Sequence, residues 1–310
     1  MKHLICLKTW SPEQIRQVLD LANDVKVAPE KYADAMKRKT LLMIFEKPSL
    51  RTRLSFEAGM TQMGGHAIYY NTATSPMGSG KETISDSIKT ASRFVDIIMA
   101  RLFKHTDLLE MAEFATVPVI NALTDDSHPC QILADLQAIE EKKGSLKGLK
   151  IAYLGDGFNN VTHSLMYGCT KMGMHVAVGS PAGEDYSPRA DVVASASAFA
   201  SEAGGSLLVT DDPVKAIQDA DVVYTDSWMS YHIPKDQEAA RVAKFKPYQV
   251  NQELMAHAKS DAVFMNCLPA ARGYEQTAEV IDGPQSIVFD EAENRLHAQK
   301  AVILTLCNAV

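Results

Sequence analysis

The chain has 310 residues, 46% of them apolar and 22% charged, enough for two domains each with its own core. A formal net charge of −7 disfavours a nucleic-acid or anionic-membrane surface, so an anionic ligand must be met by a local cationic pocket. No stretch approaches the apolar length of a membrane span, and the five cysteines (Cys6, Cys130, Cys169, Cys267, Cys307) are odd in number with no CxxC spacing, which argues against a disulfide frame or zinc site and for reduced thiols in a cytoplasm.

The opening MKHLICLKTWSPEQ is expected not to be a signal peptide: its apolar run is too short, and Ser11-Pro12 with Gln14 reads as a helix cap. Ile15, Val18, Leu19, Ala22 and Val25 then recur at helical spacing. LLMIF at 41–45 is a short apolar run before a Pro-Ser stop and reads as a buried strand, with a helix from Ser49 onward. HAIYY (66–70), DIIMAR (96–101) and VPVINA (117–122) read as strands, with helices at 84–94 and 107–115 between them. Residues 128–141 form a helix that leads into the polar linker KKGSLKG.

The alternation then restarts. KIAYLGD (150–156) and HVAVGSP (175–181) are strands, 162–172 and 190–203 helices, and SLLVTDD, DVVYTD and AVFMNCLP further strands. A last helix at 291–306 is expected to begin right after a strand SIVFDE and to fold back across the domain junction. This βαβα pattern predicts an α/β chain: two doubly wound parallel-sheet domains joined by interdomain helices. The expected bounds are 1–130, completed by a C-terminal helix at 291–310, and 148–288.

Six motifs carry chemistry. In FEKPSLRTR (45–53) a strand ends, Pro48 stops it and Ser49 caps a helix whose first turn holds Arg51, Thr52 and Arg53. Free N–H groups, the positive dipole end, hydroxyls and a guanidinium make a phosphate site. Two residues apart, the arginines cannot share a face, so Arg51 is assigned to the phosphate and Arg53 to a structural ion pair. Read alone, the same motif is also a capped helix with surface arginines. In HPCQ (128–131) Pro129 suits a helix start, and His128 and Gln131 share a face; an imidazole N–H can polarise a carbonyl and an amide can read an NH₂ group. The plain alternative is a helix-capping histidine.

GDGFNN (155–160), between a strand and a helix, invites a dinucleotide reading. That reading fails because the third glycine is missing and the next strand ends in GSP with no ribose-binding acid; two asparagines at a helix start suit a carboxylate. DSWMS (226–230) and Cys267-Leu268-Pro269 lie at strand carboxyl ends, where open α/β sheets bind ligands. DEAENR (290–295) opens the last helix, and such charge runs are usually solvated.

In this order and spacing, FEKPSLRTRLSFE, HPCQ, GDGFNN, DSWMS, CLPAARG and FDEAENRLHAQKA resemble the ornithine branch of the aspartate/ornithine carbamoyltransferase superfamily nearly end to end. The resemblance implies an enzyme of arginine biosynthesis that carries the carbamoyl group from carbamoyl phosphate, bound in the first domain, to the δ-amine of L-ornithine, bound in the second, giving L-citrulline and phosphate. It implies a homotrimer or a multiple of trimers, with no cofactor and no metal. It assigns Ser49, Leu50 (backbone), Arg51, Thr52, Arg101, His128, Gln131 and Arg295 to carbamoyl phosphate, and Lys81 to a neighbouring subunit's site. Asn160, Asp226 and Ser230 go to the amino acid's α-groups, with Tyr231 beside them; Cys267 and the Leu268 carbonyl face the reacting amine and the carbamoyl NH₂. Arg101, His128, Asp226 and Cys267 are the expected catalytic groups.

The chemistry calls for these residue types. Arginines make charge-assisted bonds to a polyanion. Arg101, His128 and Thr52 can stabilise an oxyanion. The attacking amine must be neutral, and deprotonating a lysine-like amine at pH 7 costs on the order of 4–5 kcal/mol, a cost that desolvation in a closed cleft with Cys267 and Asp226 as relay lowers. Three positions depart from the family pattern: Leu50 for threonine, Asn266 for histidine, and Ser230-Tyr231-His232 for Ser-Met-Gly. The last concerns the acceptor, so putrescine, lysine or an N-acylated ornithine are the alternative amines; putrescine enzymes carry a long C-terminal extension, whereas this sequence stops at Val310. A non-catalytic sensor of carbamoyl phosphate and a dinucleotide oxidoreductase are the competing classes.

Overall fold

The computed structural model describes residues 1–229 and 233–309. In chain order its first half contains α1 (Pro12–Val27), β1 (Thr40–Phe45), α2 (Leu50–Gln62), β2 (His66–Asn71), α3 (Ile84–Ala91), β3 (Ile97–Arg101), α4 (His105–Phe114), β4 (Val119–Leu123) and α5 (Pro129–Lys143). The second half contains β5 (Lys150–Leu154), α6 (Asn160–Lys171), β6 (His175–Gly179), α7 (Ala190–Ala203), β7 (Ser206–Thr210), α8 (Pro213–Ile217), β8 (Val222–Tyr224), α9 (Glu238–Phe245), α10 (Gln252–Met255), β9 (Val263–Met265), α11 (Ala278–Ile281) and α12 (Val288–Leu306). The chain divides into one compact unit of Met1–Gln137 with Glu293–Val310 and a second of Ala138–Ala292.

The first unit holds a parallel four-stranded sheet in the order β2-β1-β3-β4. The α1 cap forms as its sequence dictates: Ser11 and Gln14 satisfy each other's backbone N–H, and Ile15, Val18, Leu19, Ala22 and Val25 are the buried face. Leu4 pairs alongside β4, donating to Val119 and accepting from Asn121, so this sheet edge is covered. All five residues of β3 are buried, as expected of an inner strand of a parallel sheet.

The second unit holds a parallel five-stranded sheet in the order β7-β6-β5-β8-β9. Its core gathers Ala152, Leu154, Ala177, Val223 and Phe264 from the strands against Ile217, Leu254 and Val280 from the short helices. Each sheet reverses its winding once, between β1 and β3 in the first unit and between β5 and β8 in the second. At such a point the connections leave to opposite faces and open a crevice beyond the strand carboxyl ends. The motifs FEKPSLRTR and GDGFNN begin at the ends of β1 and β5, and DSWMS follows β8.

One expected strand is absent. SIVFDE makes a single bridge, Ser286 to Phe264, and Glu291 N–H already donates to the Ile287 carbonyl in helical fashion. Ile287 and Val288 are both buried while Phe289 is 73% exposed, so the run lacks the two-residue alternation of a half-buried strand. It is instead the lead-in and first turn of α12. Helix α3 ends three residues earlier than the sequence indicates, and α5 runs two residues into the polar linker.

Candidate active site

In the first unit Ser49 is the N-cap of α2: its Oγ accepts from Thr52 N–H at 3.2 Å and donates to Thr52 Oγ1 at 3.0 Å. Leu50 exposes 69% of its surface, so its side chain anchors nothing and its backbone N–H sits in the first turn. Arg53 pairs with Glu57 at 3.0 Å and lies 4.1 Å from the Tyr69 ring centre, the structural role expected of it.

Helix α12 brings Arg295 to this turn. Its Nη2 donates to Thr52 Oγ1 at 3.3 Å, its Nη1 to Gln131 Oε1 at 2.7 Å and its Nε to Gln299 Oε1 at 2.9 Å. Gln299 in turn donates to Ser55 Oγ. Thr52 Oγ1 thus accepts from two partners, which leaves its own proton for a third group. Gln131 Nε2 donates to Asp135 Oδ1 at 2.8 Å while its Oε1 accepts from Arg295, so the amide's orientation is set by its neighbours. Far from being a solvated charge run, the start of α12 buries Glu291, Asn294 and Arg295.

Arg101 ends β3, paired in register with Phe45, and its carbonyl accepts from Glu46 N–H, so it stands beside the exit of β1. His128, just before α5, is buried. Burial first, then the charges of Arg295, Arg101, Lys47 and Arg51, hold its imidazole well below 6.5. The ring is therefore neutral at pH 7 and carries a single N–H. Three arginines and a lysine thus act electrostatically on one neutral imidazole.

Lys47 is the residue the sequence reading passed over. It is buried, its ammonium 4.8 Å from the Phe103 ring centre. Burial first and Arg101 second, against the opposite pull of Asp125 and Glu46, lower it to about 8. It sits inside FEKPS, two residues before the helix cap, and that placement was the available signal. Lys81 lies exposed on the segment before α3, its N–H bonded to the Pro76 carbonyl. Cys130 is buried, with its thiol pushed up to about 12 by burial, and its Sγ donates to the Asn121 carbonyl; it is a packing residue.

In the second unit the glycines of GDGFNN are explained by crowding. A Cβ on Gly155, at φ +129°, would stand 3.1 Å from Trp228 Nε1. One on Gly157 would come within 2.7 Å of Pro188 Cδ and of the Tyr186 carbonyl. The bare backbone makes room for neighbouring loops. Of the two asparagines, Asn159 is consumed as the α6 cap, accepting from Thr162 N–H and donating to the Tyr153 hydroxyl. Asn160 is half-buried at the first helical position.

Asp226 follows β8 and Cys267 follows β9, and the thiol donates to Asp226 Oδ1 at 3.2 Å. The two expected catalytic groups of this unit are therefore in contact. Asn266, where the family pattern has histidine, is buried: its N–H donates to Glu291 Oε2, its Nδ2 to Gln276, and its Oδ1 accepts from Leu268 N–H at 2.8 Å. That last bond supports Leu268 at φ +56°, a conformation unfavourable for a branched side chain. Ser230 and Tyr231, expected at the amino-acid site, lie outside the described residues, as does His232.

The sequence matches two family descriptions, "Aspartate/ornithine carbamoyltransferase, carbamoyl-P binding domain" over residues 2–141 and "Aspartate/ornithine carbamoyltransferase, Asp/Orn binding domain" over residues 147–306. It is 50% identical to the ornithine carbamoyltransferase of Pyrococcus horikoshii over 311 aligned positions, covering 100% of this chain and 96% of that one. It is 49% identical to the anabolic ornithine carbamoyltransferase of Pyrococcus furiosus, covering 100% of this chain and 97% of the relative. The solved structure of ornithine carbamoyltransferase from Pyrococcus furiosus superposes with a TM-score of 0.94 at 49% identity, covering 100% of this chain and 98% of that chain.

Proposed function

Because this chain belongs to the aspartate/ornithine carbamoyltransferase family, we propose that it transfers the carbamoyl group of carbamoyl phosphate to the δ-amine of L-ornithine, giving L-citrulline and phosphate, as a step of arginine biosynthesis. The observation that carries this reading is the buried guanidinium of Arg295 bonded to Thr52 and Gln131 at the Ser49-capped start of α2, near a buried His128 whose imidazole feels the charges of Arg295, Arg101, Lys47 and Arg51. Such a site suits a small polyanion with a reactive carbonyl.

Arg51, Ser49, Arg295 and the N–H groups at the start of α2 hold the phosphate. Arg101, the neutral His128 and the spare proton of Thr52 face the carbonyl oxygen. Gln131 Oε1 and the Leu268 carbonyl accept from the carbamoyl NH₂. Asn160 holds the amino acid's α-carboxylate, and Asp226 with Ser230 its α-amine, with Tyr231 beside them. The neutral amine attacks the carbonyl carbon and the C=O electron pair moves to oxygen. As that pair returns, the C–O bond to phosphate breaks and its electrons leave with the phosphate. The ammonium gives one proton to the Asp226–Cys267 pair before attack, and the attacking nitrogen gives one more to the departing phosphate, keeping the single N–H of the ureido product. The contact between Cys267 and Asp226 supports the relay.

A homotrimer, or a multiple of it, completes the reading, with the exposed Lys81 reaching a neighbouring subunit's site; light scattering on the purified protein measures the mass directly. Cytoplasmic residence is supported by five cysteines that remain thiols among the described residues. The decisive test is an acceptor panel. With carbamoyl phosphate present, kcat/KM for ornithine should exceed that for putrescine by at least roughly a hundredfold, on the order of 3 kcal/mol, because a site that pairs charged α-groups rejects an amine that lacks them, and it should also exceed that for N-acetylornithine, which masks one, and for lysine. Lysine tests chain length instead. A value for any of the three equal to that for ornithine overturns the acceptor and leaves carbamoyl transfer standing.

A further inference from the structure

The loops after β5, β8 and β9 lead to or carry three of the groups assigned to the amino acid, Asn160, Asp226 and Cys267, and two buried charged side chains join them. Arg241, on α9, donates from Nε to the Trp228 carbonyl at 2.9 Å and from Nη2 to Asp156 Oδ2 at 2.6 Å. Asp156 Oδ1 accepts from Phe158 N–H at 3.1 Å, and the Asp156 carbonyl accepts from Thr162 Oγ1. One guanidinium therefore ties the loop that enters α6 at Asn160 to the loop that carries Asp226. The guanidinium lies beside two mutually packed rings, with Tyr186 at 5.6 Å and Phe245 at 5.0 Å from its carbon. Trp228 stacks on the same Phe245 at 5.7 Å and 24°.

The Trp228 peptide is held from its other end as well. Its N–H donates to Glu275 Oε1 at 3.3 Å, and Glu275 Oε2 accepts from Ala271 N–H at 3.1 Å in the loop that begins at Cys267. Arg241, Asp156 and Glu275 are 6%, 1% and 3% exposed, so solvent does not screen these bonds. A planar guanidinium is suited to serving two acceptors at fixed separation; an ammonium is not.

Resting on the reading that this half of the chain takes up ornithine, we propose that Arg241 is a positioning residue which sets the distance between the α-carboxylate subsite at Asn160 and the amine subsite at Asp226. Arg241 touches no reacting atom. It acts by fixing the Trp228 peptide, two residues beyond Asp226, against the Asp156 loop, four residues before Asn160. Misplacing two subsites of one small ligand weakens its use steeply, while carbamoyl phosphate, whose assigned groups other than Leu268 and Cys267 lie in the first unit, is left unaffected.

The test measures steady-state kinetics of Arg241→Gln, Arg241→Lys and Asp156→Asn, together with acrylamide quenching of Trp228 in a Trp10→Phe background, the chain having only these two tryptophans. Arg241→Gln should raise the ornithine KM by about 10- to 100-fold, leave the carbamoyl phosphate KM within about twofold, and expose Trp228 to quencher. Arg241→Lys, which keeps the charge but not the fork, should recover part of the loss. Asp156→Asn, which keeps an acceptor, should shift the ornithine KM in the same direction by less. Unchanged ornithine KM in all three variants, or equal rises in both KM values, overturns the proposal. If Arg241→Gln does not fold, Asp156→Asn alone decides, since its KM split is read on the same two substrates. If the unmodified enzyme prefers another amine, the ornithine reading falls by that result, and Arg241 is judged by the same split on that amine.

Discussion

Lys47 shows how burial gives a surface-type residue a role near neutral pH. Its ammonium is pushed down to about 8 by burial and by Arg101. The charged form therefore dominates below about pH 8 and is lost as pH rises through it. If that charge helps hold carbamoyl phosphate, the KM for carbamoyl phosphate should climb as pH passes from about 7 to about 9. Lys47→Arg, whose charge does not titrate in this range, should flatten the climb; Lys47→Gln should have a raised KM throughout. A pH profile of KM that is identical in the unmodified and Arg variants contradicts the role. His128 behaves oppositely: its ring is already neutral, so its titration lies far below this window. Both effects come from one packed cluster, and neither is visible in a residue's identity alone.

At the scale of elements, the strand-to-helix turns do most of the positioning. The turn from β1 into α2 presents a capped helix start with Ser49, Arg51 and Thr52. The turn from β5 into α6 presents a second, capped by Asn159. In this second turn glycine serves packing. Gly157→Ala would place a methyl within 2.7 Å of both the Pro188 ring and the Tyr186 carbonyl and 2.9 Å of Ser180 Oγ, and the two backbone-fixed neighbours cannot both yield. The substitution should destabilise the protein by about 1–3 kcal/mol, read as a lower midpoint in chemical denaturation. A midpoint unchanged from the unmodified protein would mean that the 180–188 loop moves aside freely. The same crowding explains why a glycine-rich turn after a strand here is no dinucleotide fingerprint: the glycines face protein.

For the whole molecule, the assignment of one substrate to each compact unit makes coupling measurable. Carbamoyl phosphate brings negative charge to the cationic cluster, and transfer requires both ligands at once. Calorimetric titration with norvaline, an ornithine analogue without the reacting amine, should show weak binding to the free protein and binding tighter by about 5- to 150-fold when phosphate or carbamoyl phosphate is present. By linkage, norvaline must tighten phosphate binding by the same factor. Equal norvaline affinity in both conditions would show that the two units bind independently. No helix among the described residues is long and apolar enough to cross a membrane.

Most of the fold was legible in the linear pattern because parallel α/β sheets write themselves as apolar runs separated by amphipathic helices. The buried face of α1 and the inner strand β3 show as an apolar period and an apolar run, and the caps at Ser11 and Ser49 depend on contacts within a few residues, which sequence reports directly. The motif positions were legible for the same reason, since each is a strand end or a helix start. What escaped was whatever depends on distant partners. SIVFDE has strand-forming residues, yet one bridge to Phe264 and the early onset of α12 decide it as a helix lead-in. The short helices α8, α10 and α11 carry too few residues for a period to emerge. The local pattern around Arg295 reads as a solvated charge run, and the family resemblance alone put it with Thr52 and Gln131; the fold lays it against both, 243 and 164 positions away. Lys47, Arg241 and Glu275 are ordinary charged residues in the sequence, and burial beside specific partners gives them their character. Sequence determined which chemistry is present and at which turns. Tertiary structure decided which charges share a site, because desolvation and pairing are properties of neighbours in space.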